Sequence, residues 1–345
     1  MIKRIHIAEY LSGNNLLPLI DVRTPAEYTS GHIPGAVNIP LFSNEERAKV
    51  GTVYTRESHS KAYDLGYAYV NPKLEYFAEA SKKVAEDGKT VVYCWRGGMR
   101  SKSFAEHIEQ NGINEVSVIE GGYKAFRNYA LDTFQNTGRI QLLGGYTGSG
   151  KTRILKQLFK LGEQVIDLEA LANHKGSAFG SIGQDPQPPN EHFSNLLFWK
   201  WKELDFSKTI WLEDESIHIG KVYLPQNLFQ RMREAEVYFL NISKELRAQL
   251  LVEEYVGTEK EPLKESIRKI SKRLGGLKTT LALEALERDD YFETAMISLD
   301  YYDKFYLKGL ERRNKNKVVI IDSETIDDRI NAETIIKQSR MRKHA

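Results

Sequence analysis

Eight consecutive residues, Gly145-Tyr146-Thr147-Gly148-Ser149-Gly150-Lys151-Thr152, constrain the fold of this chain more than any others. They satisfy G-x-x-x-x-G-K-[ST] in full. They follow an apolar run, IQLLGG, and precede an amphipathic one with apolar Ile154, Leu155, Leu158 and Phe159. That order predicts a strand, a glycine-rich turn and a helix, in which loop N–H groups wrap a di- or triphosphate. Lys151 would reach the terminal oxygens and the Thr152 hydroxyl a magnesium ion, so Gly145, Thr147, Gly148, Ser149, Gly150, Lys151 and Thr152 form the expected diphosphate site. The runs EQVIDL, KTIWLEDES, EVYFLNI and KVVIIDSE, separated by helix-length segments, supply further strands of a parallel sheet. An acid at a neighbouring strand end should share the magnesium. Glu213, Asp214, Glu215 and Asp167 qualify, and Asp214 is preferred because it closes an apolar run.

The chain has one cysteine, and it stands in a second prepared turn. Cys94 opens CWRGGMRS, between the strand-like KTVVY and the helix-like SFAEHIEQ. Backbone N–H groups and a helix N-terminus at such a turn favour negative charge. Arg96 and Arg100 add positive charge, Gly97 and Gly98 let the loop curl, and Ser101 closes the motif. With no second cysteine there is no disulfide and no resolving thiol, so any exchange at Cys94 uses an external partner.

Two α/β units are expected, 1–130 around Cys94 and 138–345 around the phosphate loop, divided by a short polar stretch near Leu131 to Gly138. In the first, LPLIDVRTPAEYTSGHIPGAVNIP reads as a strand ending at Asp21 and Arg23, a helix capped by Thr24 with Pro25 in its first turn, and a second strand. The second ends in a helical portion. It also holds a Gly-, Ser- and Pro-rich segment from His174 to Phe193, with Lys175, Phe179, Gln184 and Gln187, long enough to be a lid or binding loop. No run approaches a membrane span and no signal peptide is visible, so a cytoplasmic protein is expected. A net charge of +2 does not announce a nucleic-acid binder, although basic residues gather at Lys264 to Lys278, at Lys308 to Lys317 and in the tail RMRKHA.

The signature IDVRTPAEYTSGHIPGAVNIP followed by a cysteine loop resembles the rhodanese-like family, which implies that Cys94 carries a transferred chalcogen and that Asp21 and Arg23 brace the fold. The common sulfurtransferase loop, Cys-x-x-Gly-x-Arg-Ser, places its arginine one residue earlier than Arg100. The Cys-x5-Arg spacing here matches the loops of cysteine-dependent phosphatases, sized for a phosphate-like anion.

The fusion of this unit to GGYTGSGKT, with HKGSAFG and LEDESIHIG after it, resembles the bacterial tRNA 2-selenouridine synthase family over nearly the whole chain. The resemblance implies exchange of sulfur for selenium at C2 of wobble 2-thiouridine. Selenophosphate and geranyl diphosphate would be co-substrates, S-geranylated thiouridine the intermediate, and a selenophosphate-forming enzyme the supplier. Cys94 would take selenium as a selenylsulfide while Arg96 or Arg100 holds the phosphate oxygens, and the phosphate loop would bind the prenyl diphosphate. No tightly bound cofactor is expected beyond magnesium. Phe179, Phe193, Leu197, Phe198 and Trp199 could line a prenyl channel or simply pack a helix. Tyr301, Tyr302 and Tyr306, beside Lys304 and Lys308, could meet tRNA or pack likewise. The alternatives are a cysteine phosphatase fused to a small-molecule kinase, for which Tyr93 stands where histidine is usual, and a non-catalytic nucleotide switch.

Overall fold

The computed structural model describes residues 2–13, 16–136 and 138–343. Two compact units divide the chain, one of Met1–Thr133 with Pro189–Trp199, the other of Phe134–Pro188 with Lys200–Ala345.

In the first unit β1 (Lys3–Ile5), β2 (Leu19–Asp21), β3 (Ala36–Asn38), β4 (Lys89–Tyr93) and β5 (Glu115–Ile119) form a sheet in the order β1-β5-β4-β2-β3. Every pairing is parallel, with Ile20 opposite Val92 and Val92 opposite Val118. These apolar residues pack with Phe77 and Phe104 on one face of the sheet, and Leu19, Val91 and Ile119 are buried on the other, as a parallel sheet requires. Thr24 caps the helix Pro25–Ser30 with a reciprocal bond to Glu27, as its sequence predicts. Three helices, Asn44–Arg56, His59–Val70 and Leu74–Val84, fill the connection from β3 to β4.

The division falls between Thr133 and Phe134, within the stretch expected from the sequence, but that stretch is helical rather than a loose polar linker: the helix Gly122–Asn136 runs through it and Phe134 is completely buried. The segment Pro189–Trp199, most of the helix Asn190–Trp201, belongs to the first unit although it follows the phosphate loop in sequence. Its Asn195 donates to the Tyr123 hydroxyl at 2.7 Å and to the His32 carbonyl at 2.8 Å.

In the second unit β6 (Arg139–Gly145), β7 (Gln164–Val165), β8 (Thr209–Glu213), β11 (Glu236–Ile242) and β12 (Val318–Ser323) form a second parallel sheet, ordered β12-β11-β6-β8-β7. A small hairpin pairs β9 (His218–Ile219) with β10 (Val222–Tyr223). Four helices, Lys244–Tyr255, Lys260–Leu274, Gly276–Glu287 and Tyr291–Glu311, are inserted between β11 and β12, and the helix Asp328–Lys343 follows. The C-terminal part is thus largely helical, as expected, and β12 returns from it to the sheet. β4 and β6 are each the central strand of five, and both loops of interest leave at the carboxyl end, where parallel sheets bind ligands. Among the described residues no helix is long and apolar enough to cross a membrane.

Candidate active site

Cys94 follows β4 directly and is 3% exposed. Loop residues 95–98 lead into the helix Met99–Gln110, whose first turn carries Arg100 and Ser101. The Ser101 hydroxyl oxygen lies 3.2 Å from the Cys94 sulfur and 3.2 Å from the Gly98 carbonyl oxygen. Gly97 has φ +62°, and a Cβ there would stand 2.5 Å from the Ile119 carbonyl, so only glycine fits. The chain at Glu120 to Lys124 braces the loop from below, with Tyr123 and Lys124 N–H groups donating to the Cys94 and Trp95 carbonyls. Arg100 turns back to Glu27 at 3.0 Å. Burial would raise the Glu27 carboxyl, but the Arg100 bond and charge hold it below its ordinary value. Arg96 is exposed and forms no ion pair among the described residues. Asp21 and Arg23 are wholly buried and paired at 2.7 Å, with the guanidinium 3.8 Å from the Tyr123 ring centre, which makes them a brace beneath the site.

In the second unit the phosphate loop lies between β6 and the helix Lys151–Lys160. Lys151 donates to the Gly145 carbonyl at 3.2 Å, while the Thr152 hydroxyl donates to Glu169 at 2.8 Å. Glu169 sits at the start of the helix Leu168–Ala172. Glu215 is buried, and one of its oxygens has no partner. A Cβ on Gly176 would lie 2.7 Å from Glu169 Oε1 and 3.0 Å from Glu215 Oε1, so both carboxylates meet the glycine from below. Burial, and then the Glu169 charge, push the Glu215 carboxyl up to about 8. Burial would lower Lys151, yet Tyr306 and these carboxylates raise it, so the lysine stays charged.

Asp214, the acid preferred from sequence, requires correction. It is locked to the buried Arg313, which also donates to the Met232 carbonyl at 3.1 Å. The acids that line the phosphate pocket are Glu169 and Glu254, and Glu215 lies buried beside Glu169 under Gly176. Among the described residues no three His, Cys, Asp or Glu side chains are grouped to hold a metal unaided. Thr152 and Glu169 therefore fit a magnesium ion that completes its shell with phosphate oxygens and water.

The pocket over the loop is lined by Thr147 to Arg153, Glu169, Lys175, Ser177, Glu254, Tyr255 and Tyr306. A narrow apolar cavity adjoins it, lined by Phe179, Leu263, Leu286, Tyr291, Leu299 and Tyr302 among others, and shares Thr147, Leu251 and Tyr255 with the pocket.

The sequence model described as the tRNA 2-selenouridine synthase AAA domain matches residues 138–336, and that of the rhodanese-like domain matches 6–129. A tRNA 2-selenouridine synthase of a Sulfurovum species is 36% identical, covering 86% of this chain and 90% of its own. That of Nitrosomonas europaea is 33% identical over 87% and 90%, and that of Shewanella frigidimarina 32% over 90% and 93%. The chain belongs to the tRNA 2-selenouridine synthase family. Membership sets aside the phosphatase–kinase and switch alternatives.

In this member of the family, several residues singled out from sequence have structural duties. Phe193, Leu197 and Phe198 are completely buried in the first unit, and of the proposed channel residues only Phe179 lines the apolar cavity. Tyr302 lines that cavity and accepts from the Ala178 N–H at 3.0 Å, while Tyr306 faces the phosphate pocket, its ring centre 5.3 Å from Lys151 Nζ. In the first basic cluster Lys264, Arg268 and Lys278 are paired with Glu287, Glu261 and Asp300, while Lys269, Lys272 and Arg273 are exposed without an ion pair among the described residues. Arg313 of the second cluster is committed to Asp214, and the Lys308 side chain and the last two residues of the basic tail lie outside the described residues.

Proposed function

We propose that this chain replaces sulfur by selenium at C2 of wobble 2-thiouridine in tRNA, taking selenium from selenophosphate and passing through an S-geranylated thiouridine made from geranyl diphosphate. The observation that carries the prenyl step is the shared wall of the two cavities in the second unit. A diphosphate head suits the N–H groups, Lys151 and Thr152 of the phosphate loop. An isoprenoid chain suits a cavity walled by leucine and aromatic rings, because it needs no hydrogen-bond partner there. In alkylation the thiouridine sulfur bonds to geranyl C1 as the C1–O bond breaks and diphosphate leaves. Lys151 neutralises the leaving charge, and a magnesium ion held by Thr152 and Glu169 would supply further Lewis-acid stabilisation.

Selenophosphate is assigned to the Cys94 loop, with Arg96 and Arg100 as its cationic flank and Gly97, Gly98 and Ser101 shaping the turn. A selenylsulfide on Cys94 would take two electrons from selenium, and the reactants include no oxidant. A balanced course has the Cys94 sulfur attack phosphorus, the P–Se bond breaking with its electron pair on selenium. Selenide then adds at C2, the C2–S bond breaks and geranylthiolate leaves with a proton, while water cleaves the S–P bond to phosphate. The Cys-x5-Arg spacing supports this reading, and a selenide leaving group, a weak base, requires no general acid. A selenophosphate-forming enzyme must supply the donor, and the tRNA substrate points to the cytoplasm. The test is reconstitution: purified chain, 2-thiouridine tRNA, geranyl diphosphate and selenophosphate should give 2-selenouridine, and omission of geranyl diphosphate should stop it. Selenouridine formed at the same rate without the prenyl donor would remove that step.

A further inference from the structure

The segment His174 to Gly180 is a closed strap. Lys175 N–H donates to the Gly180 carbonyl at 2.9 Å, Gly180 N–H to Ser177 at 2.9 Å, and Ser177 N–H to Lys175 at 2.8 Å. It is pressed onto the second unit at two points, where Gly176 covers Glu169 and Glu215 and where Ala178 N–H bonds to Tyr302. Gly176 has φ +70°, and a side chain there would strike the carboxylates, so the approach depends on glycine. Within five residues the strap sends Lys175 and Ser177 to the phosphate pocket and Phe179 to the apolar cavity. The Phe179 ring centre is 6.1 Å from that of Tyr255, a residue common to both cavities.

Three cations line the phosphate pocket. Lys151 is buried against Gly145, and Arg153 reaches out to Glu253 at 3.4 Å. Lys175 instead pairs with Glu254, an acid that itself lines the pocket. A diphosphate entering there presents several charged oxygens against the single carboxylate of Glu254, and charge-assisted bonds to phosphate are the stronger kind. The lysine stem also lies beside the Tyr255 ring, with Nζ 5.4 Å from its centre, so a small swing exchanges the carboxylate for a phosphate without losing the aromatic contact.

We propose that this strap is the specificity element of the phosphate-loop site. Lys175 leaves Glu254 to hold the diphosphate, while Phe179 packs on the apolar chain attached to it, so one short segment reads both halves of the ligand. The Phe179 half rests on the prenyl diphosphate reading above, whereas the Lys175 half requires only a diphosphate.

The experiment is calorimetric titration of the full chain with inorganic diphosphate and, separately, with geranyl diphosphate. Lys175→Ala should weaken both by a similar factor, about tenfold or more, with Lys175→Arg recovering most of the loss and Glu254→Gln tightening both. Phe179→Ala should weaken geranyl diphosphate about tenfold more than it weakens inorganic diphosphate, whose binding also reports that the variant is folded. Inorganic diphosphate bound by Lys175→Ala at wild-type affinity overturns the proposal, as does an equal loss for the two ligands in Phe179→Ala. Failure of the prenyl reading has a different signature, in which the wild-type chain binds geranyl diphosphate no more tightly than inorganic diphosphate.

Discussion

The Thr152 hydroxyl donates to a carboxylate oxygen of Glu169 at 2.8 Å, joining the end of the phosphate loop to the helix that follows β7. Thr152 and Glu169 would together hold a magnesium ion, which would supply positive charge to the phosphate oxygens. Glu169→Gln should therefore weaken diphosphate binding in the presence of magnesium by about tenfold and weaken metal-free binding much less. Calorimetric titration with and without magnesium measures the difference; equal losses would assign Glu169 to the protein fold alone.

Asp214 answers to a different test. It is paired with Arg313, whose side chain is 3% exposed, so its removal leaves a buried guanidinium without its counter-charge. Asp214→Ala should cost on the order of 3 kcal/mol in unfolding free energy. Chemical denaturation monitors this directly, and a variant as stable as the wild type would contradict the pairing.

The contrast between these acids marks what could be read from the sequence. The phosphate loop, the Cys94 turn, the Thr24 cap and both parallel sheets were legible, because glycine spacing, capping residues and apolar runs are local signals. Choosing among Glu213, Asp214 and Glu215 required knowing which way each side chain points. β8 ends at Glu213, and the Glu215 N–H bonds back to the Glu213 carbonyl at 2.9 Å, so Asp214 and Glu215 lie in a turn where the strand period of two no longer applies. Glu169 gave no sign either, since its place beside Thr152 depends on how the helix Leu168–Ala172 packs. The assignment of Pro189–Trp199 to the first unit depends on tertiary contacts, which no local pattern in NEHFSNLLFW encodes.

Glu215 should make stability depend on pH. Its folded value of about 8 lies above the ordinary 4.5, so between those values the folded chain holds a proton that the unfolded chain has lost. Its contribution therefore falls as pH rises through that window, by no more than roughly 1.4 kcal/mol per pH unit. Glu215→Gln should flatten the decline between pH 5 and 8 in thermal melts, and parallel wild-type and variant profiles would contradict the burial argument.

The helix Lys260–Leu274 has three exposed cations without an ion pair among the described residues; Arg273 donates to the Tyr301 hydroxyl at 3.0 Å, which leaves Lys269 and Lys272 as the candidates for tRNA contact. Replacing both with alanine should lower tRNA affinity and reduce the slope of log affinity against log salt by about one to two. Filter binding over a salt series provides the slope, and an unchanged slope would move the contact surface elsewhere.

The most direct measurement is mass spectrometry of nucleosides from the tRNA of cells whose only copy of this enzyme carries Cys94→Ala. Loss of 2-selenouridine with persistence of the sulfur-containing nucleosides is the predicted result, because the proposed course uses Cys94 in the selenium step alone. Undiminished 2-selenouridine would contradict the account.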